Sequence, residues 1–227
     1  MPKADPNVFT VAIVPLENDA DGEIENDIVE GLIDIKGIDV VQFHRPPISD
    51  RPVSSGSAIA RGYLGQSHAQ VLIWGAVLTL GETKVPKLYW TTSDDTSGAP
   101  ESGHYPLAQV QNDITLPPSL IAQLDDLLRL LVVTQGTPFY GQEGQFIADK
   151  LAPFIKRVDN LLNGSSGQQW NAKDVAKIRL ILADAQETLG KQNGQAQPLL
   201  DAINNYQLVL QRDTRASSPL EWAATEN

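Results

Sequence analysis

The stretch "VAIVPLENDADGE", Val11 to Glu23, runs from apolar residues straight into a knot of carboxylates, and its reading decides the fold. Phe9 to Leu16 is short, apolar and rich in β-branched residues, and Pro15 and a polar turn end it. That is the pattern of a buried strand. From Glu23 onward Ile24, Ile28, Leu32 and Ile35 recur every three or four residues, which makes one apolar helix face with Gly37 as its stop. Strand, turn and amphipathic helix open an α/β order.

The carboxylates invite a metal reading on the pattern of a calcium loop. With Gly22 at the sixth position, Glu17, Asp19 and Asp21 fall on the oxygen-ligand positions, but the twelfth is Ile28, where a bidentate carboxylate is needed. A phosphate loop needs several converging backbone N–H groups, usually with a lysine; here one glycine sits among acids. The plainer account is a turn built on Asn18, Asp19 and Asp21, followed by Glu23 and Glu25 where a helix N-terminus welcomes negative charge. The turn nonetheless lies at the carboxyl end of a strand, where open α/β sheets bind ligands.

Further along, "IDVVQFH" supplies a second strand, Ile38 to Phe43, and "RPPISDRP" (45–52) is a loop because of its prolines. Ser54 to His68 reads as a helix with Ile59, Ala60, Tyr63 and Leu64 inward. "QVLIWGAVLTL" gives a strand over Val71 to Leu80, and "VPKLYWTT" its partner after the "GETK" connection. The order β-α-β-α-β-β implies a mixed sheet with early strands parallel and a final hairpin. Ser93 to Pro106, rich in Ser, Asp, Gly and Pro, reads as a mobile loop.

After Leu116 the strand signals stop. Leu120 to Val133 is an apolar helix, and "TQGTPFYGQEG" (134–144) reads as the joint to a helical segment. Its first helix carries Ile147, Leu151, Phe154, Val158 and Leu161, with Pro153 as a kink or restart, and "NGSSGQQ" (163–169) breaks the chain. Its second carries Val175, Ile178, Leu182, Ala185 and Leu189, its third Leu199, Ala202, Tyr206 and Val209. The expected fold is an α/β domain over 1–135 and an all-α helical-hairpin segment over 136–227.

Composition narrows the function. Among 227 residues, 17 basic against 28 acidic side chains leave a net charge of −11, which repels nucleic acid and anionic membranes. The absence of cysteine removes disulfides, thiolate metal sites and cysteine nucleophiles. No leader-like or membrane-spanning run is present, so the expected location is the cytoplasm. His44, His68 and His104 share no ligand spacing, no G-x-S-x-G elbow occurs, and Trp74 and Trp90 read as cross-strand packing. No catalytic, cofactor or metal residue is assigned. The expected partner is a protein, neutral or basic, and the chain is read as no enzyme.

Two resemblances extend this reading. "LADAQETLG" (182–190), "LLDAINNYQLVLQ" (199–211) and "TRASSPLEWAATEN" (214–227) place small residues where paired helices approach closely, with Tyr and Leu filling the groove. This resembles the tetratricopeptide-repeat family over about residues 173 to 227, with "KQNGQAQP" (191–198) lengthening the inter-helix turn and "PLEWA" opening a further repeat. The resemblance implies a scaffold that holds a partner segment, in a protein continuing past Asn227. "VAIVPLEND" (11–19), "EIENDIVEGLIDI" (23–35), "IDVVQFH" (38–44) and "AQVLIWGAVL" (69–78) are similar in order to the TolB-amino-terminal-like domains, small α/β modules of bacterial signalling proteins with no catalytic residues to carry over. The rival is a ligand-sensing or enzymatic α/β domain, its site where the Asn18–Glu23 turn meets the "FHRPP" loop (43–47).

Overall fold

The computed structural model describes residues 1–92, 113–115, 124–142, 148–164, 170 and 172–212. The chain is an α/β domain with a mixed sheet followed by an all-α segment. Strand β1 (Phe9–Ile13), helix α1 (Glu23–Ile33), β2 (Ile38–Gln42), α2 (Val53–Ser67), β3 (Val71–Leu80) and β4 (Thr83–Thr92) follow in that order. A short β5 (Asp113–Thr115) completes the sheet order β2-β1-β3-β4-β5. β1 runs parallel to both β2 and β3, while β3–β4 and β4–β5 are antiparallel. The expected topology holds, and β5 is an addition: three residues carry too little pattern to read.

The two crossovers, β1 to β2 and β2 back past β1 to β3, run in opposite lateral directions, so right-handed connections place α1 and α2 on opposite faces of the sheet. Strand alternation then divides the core. Ala12, Val14, Leu72 and Trp74 join Phe43, Ile48, Ala60, Leu64 and Tyr89 in one buried cluster on the α2 face. Val11, Ile13 and Ile73 point the other way and are fully buried, as are Ile28 and Leu32 of α1. β1 is buried along its whole length, as a strand covered on both faces must be. Ile24 is buried too, so the expected helix face stands, but α1 ends at Ile33 with Asp34 as its cap. Ile35, though buried, lies beyond the helix, and Gly37, at φ 88°, belongs to the turn into β2 rather than to the helix end.

α2 departs at one position. Ala60 and Leu64 are buried, but Ile59 is 46% exposed, and Gly56 takes the inward place. A side chain at Gly56 would meet the Trp74 ring at 2.5 Å and the Ser49 carbonyl at 2.6 Å, so only glycine lets α2 sit that close to the sheet. The tryptophans also part company. Trp74 lies opposite Tyr89 and stacks on it at 4.4 Å, whereas Trp90 opposes Ile73 on the other face.

The described residues form two compact units, dividing inside helix α3 (Leu124–Gln142) after Leu128. α3 runs straight through Gly136 and Pro138, where the sequence reads as a joint. The remaining helices are α4 (Ala148–Asn163), α5 (Ala172–Asn193) and α6 (Ala196–Leu210). Pro153 lies inside α4. The buried positions of α4 are Leu151, Ile155, Val158 and Leu162; the expected Phe154 and Leu161 sit one residue off that face and are half-buried. α5 is the middle helix, packed on α4 and on α6, which is why it is buried almost all round. The α5–α6 turn is only Gly194 and Gln195, with Gly194 at φ 64°. Of "KQNGQAQP" (191–198), expected to lengthen the turn, all but Gly194 and Gln195 belong to the two helices. The expected loop over 93–106 and the "PLEWA" tail lie outside the described residues.

Candidate functional site

At the acidic turn, Asn18 and Gly22 adopt left-handed conformations, at φ 65° and 68°. The Asp19 and Gly22 amides donate to the carbonyls of Leu16 and Asp19, closing the bend. Asp19 Oδ2 then accepts from the Glu25 amide at 2.9 Å, satisfying one of the orphan donors of the first turn of α1. Lys84, from the start of β4, reaches Asp21 at 2.7 Å and Glu23 at 3.1 Å. Its hydrogen bond holds the Asp21 carboxyl below the ordinary carboxylate value. Three of the acids are thus committed to a cap or an ion pair.

It is the first turn of α1, rather than the Asn18–Gly22 bend, that meets the end of β2. Gln42 Nε2 donates to Glu25 Oε1 at 3.2 Å, and the Glu25 carboxyl is raised by burial, with Asp19 pushing it up and Gln42 and His44 pulling it down. Asp19 Oδ1 is buried without a hydrogen-bond partner. Among the described residues no three His, Cys, Asp or Glu side chains stand where they could jointly hold a metal ion. His68 ends α2 in a left-handed conformation, its amide donating to the Leu64 carbonyl, and His104 lies outside the described residues.

A second polar group was not visible in the sequence. Asp50, in the proline loop, is buried against β4, where Lys87 Nζ donates to its Oδ2 at 2.7 Å and the Tyr89 hydroxyl at 3.3 Å. Lys87 holds the Asp50 carboxyl below its ordinary value, against the burial that would raise it. This pair fastens the "RPPISDRP" loop onto the sheet.

The helical unit carries its chemistry between α5 and α6. Asn205 is buried and bridges the helices, accepting from Arg179 at 2.8 Å and donating to Gln186 Oε1 at 3.0 Å. From the next residue of α6, the Tyr206 hydroxyl lies 2.7 Å from Asp184 Oδ1 and 3.0 Å from Glu187 Oε2. The small residues Ala183, Ala185 and Ala202 are buried. Facing away, α6 exposes Leu200, Ile203 and Leu208 among Asn204, Gln207 and Gln211, and Asp201 is its one charged residue. The expected inward residues Ala202 and Val209 are fully buried, and Leu199 and Tyr206 half-buried.

No family model matches the chain, and no curated protein and no solved structure matches it. No helix of the described residues is long and apolar enough to cross a membrane.

Proposed function

We propose that this chain is a non-enzymatic protein-interaction module in which the α/β unit precedes a helical array of tetratricopeptide type that holds a partner segment. One observation carries the reading. In a strongly acidic chain, α6 turns outward a face that is nearly free of charge and exposes Leu200 at 58% and Ile203 at 50%. Adjacent apolar side chains on an uncharged helix face suit a groove or ridge that receives another protein. The buried small residues of the hairpin support the repeat-like pairing, and the ordering of α1, β2 and β3 after β1 supports the TolB-amino-terminal-like reading of the first unit.

The test is partner capture with the wild type and with the double variant Leu200→Glu, Ile203→Glu, followed by titration of the identified partner. The double variant should keep its circular dichroism and lose binding at least about tenfold, since two buried charges oppose association. Unchanged affinity would remove α6 from the interface. The alternative, a ligand-sensing α/β unit, rests on the buried, unpartnered Asp19 Oδ1 in the turn, whose other oxygen caps the Glu25 amide. It requires a metal or small ligand that raises the melting temperature and ceases to do so in Asp19→Ala, Asp21→Ala.

A further inference from the structure

The α5–α6 hairpin holds one hydrogen too few for its own hydrogen bonds. The Tyr206 hydroxyl has a single proton to donate, yet two carboxyl groups lie against its oxygen, Asp184 at 2.7 Å and Glu187 at 3.0 Å. If both were carboxylates, one would face the phenol oxygen lone pair to lone pair. A proton on Asp184 resolves this: Asp184 donates to Tyr206, Tyr206 donates to Glu187, and Glu187 accepts from Lys191 one turn along α5.

We propose that the folded hairpin carries this proton, so that Asp184 is a proton-operated latch between α5 and α6. The surroundings decide which carboxyl takes it. Glu187 is paired with Lys191 and keeps its charge, while Asp184 has no cation of its own at contact distance among the described residues. The groups acting on Asp184 are Tyr206 from α6, and Glu187 and Lys191 from α5; no charged group of α4, the other helix packed on α5, is among them. Burial pushes the Asp184 carboxyl up to about 7, from the ordinary 3.8, against the lowering effect of the Tyr206 hydrogen bond and of Lys191, and with Glu187 adding to the rise. Tyr206 is raised by the same burial and stays protonated.

The sign follows from proton counting. The folded state holds a proton that the unfolded chain releases above 3.8, so between there and about 7 rising pH favours unfolding, and above about 7 both states are ionised and the slope vanishes. The latch faces α5 while the apolar face of α6 points away, so on the interaction reading above proton release loosens the helix that presents that face. The latch itself does not depend on that reading.

The test measures α6 amide exchange and urea unfolding of the full chain from about pH 4.5 to about pH 8, for wild type, Asp184→Asn and Tyr206→Phe. Asparagine keeps a donor toward Tyr206 but cannot titrate. The wild-type hairpin opening constant should rise by up to about tenfold per pH unit below about pH 7, and Asp184→Asn should lose that slope, leaving only the contribution of other groups. In Tyr206→Phe the slope should shrink, since the two carboxyls no longer share an oxygen. The carboxyl carbon shift of Asp184 by NMR reports the proton directly even if Tyr206→Phe folds poorly. A wild-type slope retained in Asp184→Asn, or an Asp184 carboxyl already ionised at pH 5, overturns the latch.

Discussion

At the scale of single residues, what matters is where this backbone tolerates no side chain and where it tolerates no loss of charge. Gly75 lies in mid-strand β3 at φ 150°, and a Cβ there would meet the Lys87 carbonyl oxygen at 2.1 Å. That oxygen belongs to the adjoining strand, and the Gly75 carbonyl accepts from Glu17 at 2.8 Å, so neither side can yield. Gly75→Ala should cost about 3 kcal/mol or more of stability in urea unfolding. Gly62, in α2 with nothing within 4 Å, is the control: alanine there should add up to about 1 kcal/mol. Lys87→Met tests the Asp50 pair. It leaves a carboxylate only 6% exposed, with the Tyr89 hydroxyl at 3.3 Å and the solvent-facing Arg51 at 3.7 Å, and should cost about 3 kcal/mol at neutral pH. Because Lys87 depresses the Asp50 carboxyl, the pair stabilises the fold above 3.8 and is lost as pH falls below it. The variant should therefore lose less stability on acidification than the wild type, and an equal loss would mean that the pair contributes nothing.

At the scale of elements, the hairpin turns on how near α6 can come to α5. A Cβ on Gly190 would meet Leu199 Cγ at 2.6 Å and the Gln195 carbonyl at 3.1 Å, so the glycine fixes the start of α6 just past the two-residue turn. Gly190→Val should destabilise the hairpin by about 2 kcal/mol, read as faster amide exchange in α6 with the sheet unaffected. This proximity also explains what the sequence could and could not convey. β1 and β3 were legible as apolar runs bounded by turn residues, and α1 and the α5 face because each repeats the helical period over several turns. The continuation of α3 through Gly136 and Pro138 was not, because propensity argues for a break there and the structure overrides it. The α4 face slipped by one residue because "FI" and "LL" offer adjacent apolar choices at 154–155 and 161–162, and only packing selects between them. The site was less legible than the fold. The caps on α1 follow from neighbours in the chain, but Asp50 meets Lys87 and Tyr89 across separations of 37 and 39 residues, and Tyr206 meets Asp184 across 22. No local spacing encodes such contacts.

At the scale of the whole molecule, a net charge of −11 should make stability and association respond to salt with opposite signs. On α1, Asp27 is raised first by burial and then by Glu23, Glu30 and Asp125, which shows like charges crowding one face. The ion pairs that salt would weaken there, Lys84 with Asp21 and Glu23, are largely solvent-exposed and contribute little to stability. Screening therefore relieves more repulsion than attraction. The melting temperature should rise as potassium chloride goes from about 20 mM to about 300 mM, where the Debye length shortens from roughly 20 Å to under 6 Å. Chloride is preferred to sulfate, whose exclusion from the surface stabilises any fold and would mimic the effect. A partner that is basic should meanwhile bind more weakly over the same range, through a slower association rate, because its approach is steered by the field that salt removes. A neutral partner recognised by the uncharged α6 face should show no such loss. One salt titration of stability and of binding thus separates the field of the whole chain from the apolar contact of one helix: a melting temperature that falls with salt would show that attraction, not repulsion, dominates this surface.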